Sequence, residues 1–116
     1  MSYKIIHNPR CSKSRQALAI LESKGLEFEI IDYLKNPISL DELKEVIRKL
    51  GIKPYDLIRR NEAVFKEKFK GKELSDNDWI KAMVQHPKLI ERPILVTENN
   101  AVIGRPPEEV NRIIEN

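Results

Sequence analysis

The residue types best suited to chemistry gather in one short stretch, His7-Asn8-Pro9-Arg10-Cys11-Ser12-Lys13-Ser14-Arg15, which holds the chain's only cysteine. The stretch lies between an expected strand, Tyr3 to Ile6, and an expected helix beginning near Ser12. At such a junction the first free backbone N–H groups and the positive end of the helix dipole converge. They favour a thiolate over a thiol, and they cradle an oxyanion placed beside it. Arg10, Lys13, Arg15 and His7 add positive charge around the sulfur, and Asn8-Pro9 breaks the strand just before it.

Three arginines stand at boundaries of the pattern: Arg59 in a helical block, Arg92 before Pro93, and Arg105 after Gly104. Arginine offers a planar fork of donors that fits tetrahedral and carboxylate oxyanions, and it stays charged when partly buried. Pro93 is excluded from the interior of a following strand's ladder, and the X-Pro bond is one place where a cis peptide is accessible. Gly104-Arg105-Pro106-Pro107 likewise joins a permissive glycine to rigid prolines around an arginine. Both corners could project an arginine toward Cys11.

The elements that must carry these residues follow from periodicity. From Ser12 to Lys24, Ser14, Ala17, Leu18 and Leu21 recur at helical spacing, with Gly25 as the stop. Glu27 to Tyr33 reads as a second strand, which makes a β-α-β unit with parallel neighbours. Ser39-Leu40-Asp41-Glu42 fits a capping box for a helix that ends at Gly51. Shorter helices are expected at Tyr55 to Arg59 and Ala63 to Phe69, and another capped by Ser75 and stopped at His86-Pro87. Trp79, Met83 and Phe65 read as core residues, His86 as a helix-end residue, and Lys66, Lys68, Lys70 and Lys72 as a solvated face. Ile94 to Thr97 and Ala101 to Ile103 flank Asn99-Asn100 as a hairpin, and a last helix opens at Pro106-Pro107 with Val110, Ile113 and Ile114 at core spacing. The order is β-α-β, a helical block, then β-β-α. The expectation is one α/β domain over residues 1–116 with a mixed sheet and a helical insertion at about 37–87.

With 116 residues, 41% of them hydrophobic and 34% charged, the chain has the composition of a globular domain. No apolar run approaches a membrane span and no signal-peptide pattern opens it, so the expectation is a cytoplasmic protein without a membrane partner. A net charge of +3 set against 18 acidic residues makes no case for nucleic acid. Two histidines and one cysteine give no local zinc cluster, and a redox cycle at Cys11 must take its second thiol from another molecule.

The motifs HNPRCSKSRQAL (residues 7–18), DLIRRN (56–61), HPKLIERPILV (86–96) and IGRPPEEV (103–110) resemble, essentially from end to end, the glutaredoxin-dependent arsenate reductase family in its shorter form. The resemblance implies a thioredoxin-like (glutaredoxin-like) sheet with a helical insertion, in which Pro93 corresponds to the cis-proline facing the active thiol. It implies Cys11 as the nucleophile and Arg59, Arg92 and Arg105 as arsenate-binding residues, with Arg60 the neighbouring alternative to Arg59. It makes His7 a secondary contributor to thiol activation. Ser14 stands where a C-x-x-C pair would have its second thiol; it reads first as a helix residue, with a hydroxyl able to bond the thiolate.

The implied activity is reduction of arsenate to arsenite, with glutathione as co-substrate, glutaredoxin as partner, no tightly bound cofactor and no metal. Two other readings stand beside it. One is a glutathione-dependent thiol oxidoreductase of the same fold without physiological arsenate activity. The other is a non-enzymatic regulatory binding module.

Overall fold

A computed structural model describes residues 2–114. They divide into two compact units: one formed by the chain through Asn36 and again from Arg92 onward, the other spanning Pro37–Glu91.

The first unit is built on a four-stranded sheet. Its strands are β1 (Tyr3–His7), β2 (Phe28–Asp32), β3 (Ile94–Val96) and β4 (Ala101–Ile103), in the order β2-β1-β3-β4. β1 and β2 are parallel, as a helical crossover requires. β1–β3 and β3–β4 are antiparallel, so the sheet is mixed. The expected hairpin closes with Val96 opposite Ala101, and Thr97 Oγ1 accepts the Asn100 N–H across the turn.

The crossover is α1 (Ser12–Ser23), stopped at Gly25, whose φ of +68° is the left-handed conformation a glycine adopts without steric cost. α1 lays Ala17 and Leu21 against Tyr3, Ile5, Leu95 and Val102 of the sheet, and Val110 and Ile114 close the same core. The segment carrying Val110 corrects one expectation. Pro107–Arg112 is a 3₁₀ helix rather than an α-helix. Its turns close three residues back, Glu109 N–H to Pro106 C=O and Ile113 N–H to Val110 C=O. Six residues behind two prolines are too few to establish an α-helical ladder, and the tighter winding still buries Val110.

The second unit is helical: α2 (Leu40–Leu50), a 3₁₀ turn at Pro54–Leu57, α3 (Ala63–Lys68), α4 (Asp76–Gln85) and a 3₁₀ turn at Pro87–Leu89. The capping box forms in full: Ser39 Oγ accepts the Glu42 N–H, and Glu42 reaches back to the Ser39 N–H. Gly51 ends α2 at φ +69°. Tyr55, Phe65, Phe69 and Trp79 form an aromatic cluster, with Tyr55 and Trp79 centred 5.1 Å apart. A single antiparallel bridge pairs Ile58 with Ile90. Among the described residues no helix is long and apolar enough to cross a membrane, and no group of three or more His, Cys, Asp or Glu side chains is placed to hold a metal ion.

Candidate active site

Cys11 is the N-cap of α1, with φ −92° and ψ 122°, so its sulfur sits where a capping oxygen normally meets the first free N–H groups. It makes no capping hydrogen bond of ordinary geometry. The Ser14 and Lys13 N–H groups nonetheless lie close enough to favour its anionic form.

The loop before it is fixed largely by Asn8, which is buried. Its carbonyl accepts the Cys11 N–H at 3.0 Å, its side-chain Oδ1 accepts the Arg10 N–H at 3.0 Å, and its own N–H donates to Ser14 Oγ at 3.1 Å. Three bonds from one residue hold the turn that presents the sulfur. Arg15 adds a bond from its guanidinium to the Pro9 carbonyl at 3.0 Å.

Two of the three arginines come to the thiol within the sheet-containing unit. Arg105 donates from one terminal nitrogen to Cys11 Sγ at 3.4 Å, while its Nε donates to the Arg92 carbonyl at 2.8 Å. The Arg92 side chain also lies close enough to the sulfur to favour its anionic form, and its buried Nε has no hydrogen-bond partner among the described residues. Burial pushes the Cys11 pKa up, but the Ser14 N–H, the Arg92 side chain, the Lys13 N–H and the Arg105 charge together outweigh it. The net result is a pKa below that of an ordinary thiol.

The corners that aim these arginines are packed against each other. The Arg92-Pro93 bond is cis, as the resemblance implies, and Arg105-Pro106 is cis as well. The Gly104 N–H donates to the Pro93 carbonyl at 2.8 Å. A Cβ at Gly104 would stand 2.9 Å from Pro93 Cγ and 3.2 Å from Val110 Cγ1. Glycine at 104 is therefore a condition of the close approach that sets Arg105 beside Cys11.

His7 and Ser14 meet directly: His7 Nδ1 lies 2.6 Å from Ser14 Oγ, both side chains buried. Burial lowers the His7 pKa; Asp32 opposes the shift and Arg15 adds to it. The Ser14 hydroxyl is thus engaged away from the sulfur.

Arg59 belongs to the helical unit and follows the 3₁₀ turn rather than lying on a helix. It is held by Glu91 at 3.1 Å, with side-chain exposures of 15% and 25%, and its N–H donates to the Leu89 carbonyl at 2.7 Å. Its buried Nε has no hydrogen-bond partner among the described residues. Arg60 is exposed, with its guanidinium 4.7 Å from the centre of the Tyr55 ring. The two neighbours therefore differ in kind: Arg59 is partly buried against a carboxylate, and Arg60 lies exposed over an aromatic ring.

Residue type alone did not point to the contribution of Lys13 and Ser14 through their N–H groups, nor to the Arg92 carbonyl as the anchor of Arg105. Only the position at a helix start marked the first. The second joins residues thirteen apart in sequence and left no signal.

A four-stranded mixed sheet with one thiol at the N-cap of its crossover helix, under two arginines and beside a cis-proline, defines a single-thiol protein of the thioredoxin-like class. The ArsC family model matches residues 6–113, and the chain belongs to the ArsC family. It is 42% identical over 116 residues to an arsenate reductase of Haemophilus influenzae, covering 98% of this chain and 100% of that protein. It is 44% identical over 113 residues to the uncharacterized protein YfgD of Escherichia coli K12, covering 96% and 95%. The solved structure of an arsenate reductase from Vibrio cholerae superposes with a TM-score of 0.94 at 46% identity, covering 98% of each chain.

Proposed function

We propose that the protein reduces arsenate to arsenite through a covalent adduct on Cys11, with glutathione and glutaredoxin supplying the remaining thiols, in the reducing setting of a cytoplasm and without a tightly bound cofactor. The observation that carries the reading is the convergence of Arg105, at 3.4 Å, and the Arg92 side chain on one sulfur whose pKa is lowered. Two guanidinium forks beside a thiolate suit an oxyanion that must be held while the sulfur attacks it. The unpartnered Arg92 Nε leaves a buried donor to be satisfied. Arg59 joins the anion-binding set on the strength of the family resemblance.

The chemistry follows in balanced steps. Cys11 thiolate attacks arsenic(V), an S–As bond forms, and one arsenate oxygen leaves as water after protonation. The arginines hold the remaining oxygens and the charge they carry. A glutathione thiolate then attacks the Cys11 sulfur, and the S–As electron pair passes to arsenic, which departs as arsenite, arsenic(III). Cys11 is left in a mixed disulfide with glutathione, and a glutaredoxin thiolate takes the glutathionyl group to restore the Cys11 thiolate. Two thiols become one disulfide and arsenic gains two electrons.

One cysteine suffices because the other thiols come from outside the chain. The test is arsenite formation in the presence of glutathione and glutaredoxin, with Cys11→Ser alongside. Turnover that disappears on omitting glutaredoxin and in the variant is expected; full turnover by Cys11→Ser would refute the proposal.

A further inference from the structure

Ser14 lies at the centre of a hydrogen-bonded group whose hydrogens can be assigned. Its side chain is fully buried, and Oγ has two neighbours, His7 Nδ1 at 2.6 Å and the Asn8 N–H at 3.1 Å. The amide can only donate, so Oγ accepts from Asn8. The one hydroxyl hydrogen then belongs to His7, because the opposite assignment would leave a fully buried O–H with no acceptor. Nδ1 is therefore the acceptor, and a neutral imidazole must carry its hydrogen on Nε2.

The charged groups facing this ring are Asp32 on β2 and Arg15 on α1. His7 and Asp32 are register partners in the parallel β1–β2 pair, so their side chains leave the same face of the sheet as neighbours. An anion beside the ring selects the tautomer that presents an N–H to it. Ser14 in turn is the third residue of α1, whose N–H faces the Cys11 sulfur.

We propose that Asp32, His7 and Ser14 form a positioning chain for the thiol: Asp32 fixes the Nε2–H form of His7, His7 Nδ1 takes the Ser14 hydroxyl hydrogen, and this grip holds the Ser14 N–H against Cys11. His7 acts as a neutral acceptor in this arrangement, not as a cation beside the thiolate. Asp32, the last residue of β2 and part of no motif singled out in the sequence, becomes a positioning residue. The inference rests on the reading of Cys11 as the reacting thiolate.

Two measurements test the chain, and neither requires arsenate turnover. Long-range proton–nitrogen NMR of the full protein, with His86→Gln used to assign the signals, should find His7 unprotonated at Nδ1 and protonated at Nε2. In Asp32→Asn the preference should weaken, with a growing share of the Nδ1–H form. The pH profile of Cys11 alkylation should move to higher pH by about one unit in Ser14→Ala, a tenfold loss of thiolate at a given pH, and by less in Asp32→Asn. His7→Ala combined with Ser14→Ala should shift it no further than the larger single change, since the residues act as one unit.

Urea unfolding confirms that each variant is folded, and Asp32→Asn, a change at a partly exposed site, serves if Ser14→Ala is not. A protonated Nδ1 in the parent protein overturns the chain. Unchanged tautomer and profile in Asp32→Asn, or additive shifts in the double variant, also overturn it. Failure of the proposed reaction is read separately, from arsenite formation by the parent protein.

Discussion

In the sheet-containing unit, Arg105 is oriented by a main-chain carbonyl at 2.8 Å and reaches a sulfur at 3.4 Å; in the helical unit, Arg59 is held by a carboxylate at 3.1 Å. The carbonyl fixes the direction of the Arg105 guanidinium, and the carboxylate fixes that of Arg59 while offsetting its charge. The cores differ in a parallel way. Ile5, Leu21, Leu95 and Val110 fill the first unit with aliphatic side chains between sheet and helix, while Tyr55, Phe65, Phe69 and Trp79 fill the second with rings. The first unit positions its site through backbone geometry, with Asn8, Gly104 and the Arg92 carbonyl as fixed points. The second adds to its main-chain bonds a side-chain ion pair, Arg59 with Glu91, and a cluster of rings.

The largest effect on stability should therefore come from the helical unit. Trp79→Ala removes a ring that touches three others and should cost about 3–5 kcal/mol, read as a lower urea midpoint. A cost below about 1 kcal/mol would mean that the rings do not carry that unit.

Arg105→Ala should do the reverse. It should lower kcat/KM for arsenate by about 10²- to 10³-fold, the loss typical of one oxyanion donor, while changing stability by about 1 kcal/mol or less. Arg105→Lys keeps the charge but loses the Nε bond to the Arg92 carbonyl, and should recover only part of the activity. Full recovery would show that charge alone matters, and would erase the contrast drawn from the main-chain anchor.

The smallest effect should follow Glu91→Gln. Losing a partly buried, charge-assisted hydrogen bond should destabilise the protein by about 1–2 kcal/mol, and freeing the Arg59 charge should lower KM for arsenate. An unchanged KM would remove Arg59 from the proposed anion-binding set.

Where the chain announces its structure, it does so through local chemistry. Asn8-Pro9 and Gly25 bound α1, Ser39 with Glu42 begins α2, and the alternation around Asn99-Asn100 makes the hairpin, because each signal acts within a few residues of itself. The proline-flanked corners were legible for the same reason. The Ile58–Ile90 bridge was not, since one residue on each side has no period to detect. The terminal 3₁₀ helix was misjudged because Val110, Ile113 and Ile114 fit an α-helical face on paper, while the turns that form there close at i+3.

At the site, Cys11 and its arginines stood out by residue type. The His7–Ser14 bond and the Arg92–Arg105 anchor depend on how the loop and hairpin fold back, so spacing did not reveal them. Ser14, read first as a helix residue with a hydroxyl able to bond the thiolate, lies on α1 and places that hydroxyl 2.6 Å from His7 Nδ1.

The central claim, that Cys11 gives up its proton more readily than an ordinary thiol inside an anion-binding cradle, is tested most directly by titrating its alkylation against pH with and without arsenate. Because the group loses its proton at a lowered pKa, reactivity should rise at a pH below the ordinary thiol value of about 8.5 and fall only as the medium becomes more acidic than the lowered value. Arsenate should slow the reaction across that range. An inflection near 8.5 with no protection by arsenate would contradict the account.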